Sequence, residues 1–207
     1  MVRPHADTVL LLIDLQRAFC DSDGSMSRQG RDISAMREAA RTCARLAAAA
    51  RAATVPVIWT RMGFRPGYAD GGRLVWNIRP ALREIDALRL DTPDCEITHL
   101  AAASEHDIII EKPRYSAVYA TPLEAILRSL GTSRIIVGGV TTSMCVDTTV
   151  RDLSQRDHDV LLASDACGDF DPARHDAAIA AMEFGFCRIV AAQEALDIIS
   201  SSSQRAT

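Results

Sequence analysis

Cys145 lies in RIIVGGVTTSMCVDTTVRDL, residues 134–153. The order of residue types predicts a strand over 135–137, a tight Gly138-Gly139 turn, and a helix beginning near Cys145. A cysteine on the first turn of a helix meets unpaired backbone N–H groups and the positive end of the helix dipole, and both favour its thiolate. That is a setting for a nucleophile. Asp14 closes the apolar run TVLLLI, and Lys112 follows DIIIE. A free thiol has a pKa of about 8.5, so a nearby carboxylate is needed to take its proton at neutral pH. Burial of that carboxylate suits it to proton transfer. A lysine beside both holds the acid ionised at rest and favours the thiolate. Asp14, Lys112 and Cys145 therefore read as base, cation and nucleophile. Backbone N–H groups at Gly139, Val140, Thr141 and Cys145 are placed to receive an oxyanion. The chemistry this allows is attack of sulfur on a carbonyl, protonation of a leaving nitrogen by Asp14, and cleavage of the thioester by water that Asp14 activates.

The elements that must bring these residues together follow from the patterning. Residues 8–13 read as a central strand buried on both faces. Residues 15–30 read as loop, with a DSDGS turn cluster. Residues 34–53 read as a long helix rich in Ala, Arg and Leu. Further strands are expected at 55–60, 107–111, 135–137, 159–163 and 188–191. Helices are expected at 121–130, 172–184 and 194–199. In the first of these, Thr121 fits the N-cap, Pro122 the first helical position, Glu124 a capping box and Gly131 the C-cap. Asp171 is a plausible cap for the second. Residues 61–94 are irregular and too long for an ordinary loop, so they are functional or hide short helices. Strands alternating with helices imply a mostly parallel sheet covered on both faces, whose ligands bind past the carboxyl ends of the strands. Asp14, Lys112 and Cys145 all belong at such ends.

Composition narrows the field. With 207 residues, 48% of them hydrophobic, the chain is expected to form one domain over 1–207. A net charge of -4 and the lack of any basic run give no reason to expect a nucleic-acid or membrane-surface partner. The apolar stretch near the N-terminus is too short for a signal segment, and none reaches the roughly 20 residues of a membrane helix. A cytoplasmic protein is the expectation. The six cysteines form no CxxC pair, so Cys20, Cys43, Cys95, Cys167 and Cys187 are read as inert thiols. The five histidines are dispersed, and neither a metal nor a cofactor is expected.

IDLQ at 13–16, EKPRYSA at 111–117 and GGVTTSMCVDTTVRD at 138–152 together resemble the isochorismatase-like cysteine hydrolase superfamily. Three motifs in register across nearly the whole chain make the resemblance specific. It implies a three-layer α/β/α fold with a six-stranded parallel sheet of order 3-2-1-4-5-6. It also implies the triad Asp14, Lys112, Cys145 and a cis peptide bond at Val140-Thr141, with the Thr141 and Cys145 amides as oxyanion hole. The cysteine argues against the vinyl-ether hydrolases of the superfamily. WTRMG at 59–63 lacks the Asp-x-His metal motif of nicotinamidases. The Lys112 and Cys145 segments are more similar to the N-carbamoylsarcosine, biuret and ureidoacrylate amidohydrolases. The resemblance thus implies an amidohydrolase of a small amide or ureide, working as a homo-oligomer, dimer or tetramer. The rivals are an amidase for a lactam or aryl carboxamide, favoured by a larger and more open pocket, and a non-catalytic binding module on the same fold.

For substrate contacts, Gln16 either lines the site or bonds backbone. Phe19, Trp76, Tyr115 and Tyr119 are candidate pocket walls, although aromatics serve cores and interfaces more often. Arg73 in its glycine-flanked loop is a candidate for gripping a substrate carboxylate. Arg151 and Asp152 are read as an ion pair or interface contact, and Asp165 and Asp169 as turn or cap residues.

Overall fold

Six consecutive apolar or β-branched residues without alternation need cover on both faces, and Thr8–Ile13 (β1) is buried along its whole length. The structure, a computed structural model, describes residues 7–202; part of the N-terminal stretch discussed above lies outside these. β1 pairs in parallel with Val57–Met62 (β2) on one side and Arg134–Val140 (β4) on the other. Ile108–Lys112 (β3) adds to β2, Asp159–Gly168 (β5) to β4, and Arg188–Val190 (β6) to β5. The sheet is all parallel with order β3-β2-β1-β4-β5-β6. The order reverses between β1 and β4, so the crevice past their carboxyl ends is where a ligand belongs.

The helices are Arg17–Cys20 (α1), Ser25–Arg28 (α2), Ser34–Ala52 (α3), Ala81–Glu84 (α4), Leu123–Leu130 (α5), Asp147–Ser154 (α6), Pro172–Gly185 (α7) and Ala192–Ser202 (α8). α3 buries Met36, Ala39, Ala40, Cys43, Leu46, Ala47 and Ala50, the apolar stripe of a surface helix. It packs across the sheet beside α8. Right-handed crossovers put α5, α6 and α7 on the opposite face. Among the described residues no helix is long and apolar enough to cross a membrane.

Several boundaries differ from expectation. Residues 15–30 contain two single-turn helices. β2 begins after Pro56, whose ring leaves only its carbonyl for the ladder, accepting from Leu10. β4 runs on through both glycines, which therefore form strand and not turn. Gly139 needs to be glycine: its φ is 128°, and a Cβ there would sit 2.2 Å from the Ile13 carbonyl oxygen. β5 extends to Gly168, where Cys167 and Gly168 pair with Gly139 and Val140 of β4; on the way Asp165 accepts from the Ala192 N–H at the start of α8. Pro122 is the N-cap of α5 and not its first residue; Thr121 Oγ1 accepts from the Leu123 N–H, and Glu124 pairs with Arg156 instead of closing a capping box. Asp171 does cap α7, accepting from Ala173 at 2.9 Å.

Five cysteines, Cys20, Cys43, Cys95, Cys145 and Cys167, are buried, and all six are free thiols. Burial pushes the Cys95 and Cys167 thiols up to about 12 and Cys187 up to about 11, with Cys20 and Cys43 also raised. An unfolded thiol titrates near 8.5. Above that pH the unfolded chain releases protons that the folded one keeps. The stability is therefore present below about pH 8.5 and is lost as pH rises, by about 1.4 kcal/mol per pH unit for each buried thiol. Urea midpoints under reducing conditions are expected to fall clearly between pH 7.5 and 9.5, and less steeply for Cys43→Ala. Equal midpoints would refute this account.

Candidate active site

β1 ends at Ile13, and Asp14 turns out of the strand with φ 51°. The conformation is uncommon for a residue other than glycine, though Asp is among those that adopt it. Thr60 on β2 holds it there: its Oγ1 donates to Asp14 Oδ1 at 2.6 Å, and the Asp14 N–H reaches Thr60 Oγ1 at 3.2 Å. Lys112, the last residue of β3, reaches under β2 and sets Nζ 2.7 Å from Asp14 Oδ2, with both side chains wholly buried. The remaining ammonium protons go to the carbonyls of Arg114 at 3.0 Å and Tyr115 at 2.9 Å. Two donors are thus hydrogen-bonded, and the charge as a whole faces Asp14. Burial disfavours the ammonium, but the charge of Asp14 and the proximity of Cys145 outweigh it, and the Lys112 pKa stands above its ordinary value. Asp14 Oδ2 faces this charge without a well-aligned hydrogen bond, which leaves it a lone pair for a proton.

Past β4 the chain passes a cis peptide bond at Val140-Thr141 into a π-helical turn, Thr142–Val146, which runs on into α6. Cys145 lies in this wide turn, 3% exposed, its Sγ 3.9 Å from Met62 Sδ and close enough to Asp14 and Lys112 for both charges to act on it. Several bonds fix the turn. Asp169, 4% exposed, accepts from Ser143 N–H at 2.8 Å and Oγ at 2.7 Å. Thr149 Oγ1 donates to the Cys145 carbonyl at 2.6 Å and accepts from the Ala117 N–H at 2.9 Å, joining the turn to the segment after Lys112. Thr142 Oγ1 meets His175 Nδ1 at 2.9 Å.

The electrostatics correct one expectation. The Cys145 thiol is pushed up by burial; Lys112 opposes this, and the Asp14 carboxylate adds to it. The resting group is a neutral thiol beside an Asp14–Lys112 ion pair, not a standing thiolate. The helix end and the lysine do not offset the loss of water.

Cys145 and Thr141 open on a cavity of about 30 Å³, walled by Phe19, Met26, Met62, Leu82, Leu88, Tyr115, Met144 and Phe170 and flanked by Arg79. Of the six proposed substrate contacts, Phe19 and Tyr115 line it. Gln16 does not: its amide donates to the Met62 carbonyl at 2.9 Å and accepts from the Met62 N–H at 2.8 Å, a backbone clamp. Arg73 and Trp76 are turned outward, because the π-helical turn Leu74–Ile78 buries Leu74 and Val75 in their stead. Trp76 lies under the Arg83 guanidinium, 4.2 Å from ring centre. Tyr119 is 60% exposed. Arg151 and Asp152 do not pair with each other; Arg151 holds Asp147, and Asp152 holds Arg156. Thr60 and Arg79 were not legible as site residues. The one signal for Thr60 is a hydroxyl inside an otherwise apolar strand. Among the described residues, no group of three or more His, Cys, Asp or Glu is placed to hold a metal ion.

The comparisons agree with one another. The family model described as Isochorismatase domain matches residues 8–194. The ureidoacrylate amidohydrolase RutB of Methylobacterium radiotolerans is 33% identical over 203 residues, covering 91% of this chain and 79% of that one. The same enzyme of Klebsiella pneumoniae subsp. pneumoniae is 30% identical, covering 80% of this chain and 75% of that one. Among solved structures, a cysteine hydrolase from Pseudomonas syringae pv. phaseolicola superposes with a TM-score of 0.87 at 27% identity, over 95% of this chain and 94% of that one. N-carbamoylsarcosine amidase from Thermoplasma acidophilum shares the fold, with a TM-score of 0.71 at 18% identity over 90% and 96% of the two chains.

Proposed function

Because this chain belongs to the isochorismatase family of hydrolases, we propose that it is a metal-independent cysteine amidohydrolase that cleaves a C–N bond of a small ureide or carbamoyl compound through a Cys145 thioester. The observation that carries this reading is the buried Asp14–Lys112 pair at 2.7 Å with the Cys145 thiol close to both, at the switch point of the sheet. The ureide class is supported by the ureidoacrylate amidohydrolases at 30–33% identity.

As Cys145 Sγ bonds to the substrate carbonyl carbon, its proton passes to Asp14. The carbonyl electron pair moves to oxygen, which the Thr141 and Cys145 amides receive as the proposed oxyanion hole. The C–N bond then breaks and Asp14 returns the proton to the leaving nitrogen. Water gives a proton to Asp14 as it attacks the thioester, and the thiol is regenerated. Lys112 stays protonated throughout, holding Asp14 in place and limiting the charge on the buried pair.

Acid quench during turnover of a ureide, followed by intact-mass measurement and peptide mapping, is expected to find an acyl adduct confined to Cys145. An adduct on another residue, or hydrolysis in a Cys145→Ala protein at the wild-type rate, would rule the mechanism out.

A further inference from the structure

Arg79 stands beside the Cys145 cavity without an acidic partner. Four other arginines of the same irregular segment are occupied. Arg65 pairs with Asp70, Arg89 with Asp86 and Asp91, and Arg61 with Glu111, while Arg83 covers Trp76. Arg79 instead points Nη1 at Met144 Sδ, 3.7 Å away, and lies beside the Tyr115 hydroxyl. A thioether is a weak acceptor, and a guanidinium carries five donors in a fork that matches a carboxylate. Arg79 is half-buried, where a charge is attractive to an anion because water screens it less. Among the described residues lining the cavity it is the charged one; Phe19, Leu82, Leu88 and Phe170 beside it are apolar. These walls cannot solvate an acid, and Lys112 cannot serve one, since its charge is matched by Asp14 and two of its donors are taken by carbonyls.

We propose that Arg79 is the specificity-determining residue of this site, binding the carboxylate of a carbamoylated amino acid or similar ureido acid whose urea carbonyl faces Cys145. The inference rests on Cys145 being the nucleophile and adds what the far end of the substrate must carry. A cavity of about 30 Å³ does not hold such a molecule, so Arg79 must leave Met144 as the acid arrives. The contact it gives up is a weak one. Arg73, the arginine that composition singled out for this task, is turned to solvent six residues away.

The test compares 3-ureidopropionate with 3-ureidopropanol, which keeps the urea and loses the charge. Wild-type kcat/KM is expected to favour the acid by about 100-fold, the scale of a bidentate charge-assisted contact. Arg79→Gln should remove most of that preference, chiefly through KM, while turnover of the alcohol stays within about threefold; Arg79→Lys should restore part of it. Equal losses on both compounds, or an undiminished acid preference in Arg79→Gln, would overturn the proposal. If wild type hydrolyses neither compound, calorimetry on the Cys145→Ser protein decides: acid binding that is absent, or no tighter than alcohol binding, overturns it equally. An acid preference that depends on Arg79 but survives alongside full activity in Cys145→Ala would refute the nucleophile and leave the Arg79 assignment standing.

Discussion

Cys145→Ala is expected to lower turnover of the preferred ureide by about 10⁴-fold or more, with little change in the unfolding midpoint. The effect is large because no second nucleophile is in reach. Thr141 and Thr142 share the turn, but Thr142 is engaged by His175, and of the other thiols Cys20, Cys43, Cys95 and Cys167 are buried and Cys187 half-buried. The Asp14–Lys112 pair persists without sulfur, so the fold keeps its buried ions matched. Cys145→Ser is expected to be nearly as inactive, because a hydroxyl is harder to deprotonate than a thiol and the carboxylate in reach is a weak base. The measurement is steady-state kcat/KM on a panel of ureides and carbamoyl amino acids, beside urea unfolding of each variant. An alanine variant within tenfold of wild type would end the covalent mechanism.

Lys112→Met is expected to damage both activity and stability. It strands the Asp14 carboxylate in a site with no exposure and unbinds the carbonyls of Arg114 and Tyr115. Breaking one side of a buried pair costs about 3–5 kcal/mol, a large part of a typical domain's stability. Activity should fall by a further factor of about 10²–10³, the usual loss when a preorganised charge is removed. The double variant Asp14→Asn/Lys112→Met separates the two effects. It leaves no unmatched charge, so part of the lost stability should return while turnover stays absent. Recovery of turnover in the double variant, or a Lys112→Met protein as stable as wild type, would show that the pair is not what holds the site together. The wild-type pair also sets a pH limit. The Lys112 pKa is raised, so its contribution is complete below the ordinary lysine value of about 10.4 and is lost as pH rises past it.

The parts of this fold legible in the sequence were those governed by uninterrupted burial. TVLLLI had to be a central strand, and the strands carrying Lys112 and leading to Cys145 could be placed because their apolar runs stop abruptly at polar residues. The family resemblance then supplied the strand order and the residue set, which patterning alone left open. What failed was local and has local causes. In residues 61–94 no periodicity relates a side chain to the site, so Arg73 and Arg79 were indistinguishable until the π-helical turn fixed which of them faces Met144. Gln16 and Thr60 are polar residues in apolar surroundings, and a sequence does not say whether such a group faces a ligand or a neighbouring strand. The thiolate expectation failed because helix position could be read while the depth of burial could not.

The Gln16–Met62 clamp has a consequence for how a parallel sheet can hold a reactive residue at its rim. With its donor and acceptor bound to one residue of β2, the side-chain amide imitates a peptide group and adds one more rung to the ladder. The backbone is thereby released from that duty after Asp14, while the spacing of the strands is kept. Asp14 makes the last true rung, its N–H reaching the Thr60 carbonyl at 3.2 Å, and the counterfeit one follows two residues on. Asp14 is free to leave the pleat, yet fastened on both sides, as a hinge pin is held between two knuckles.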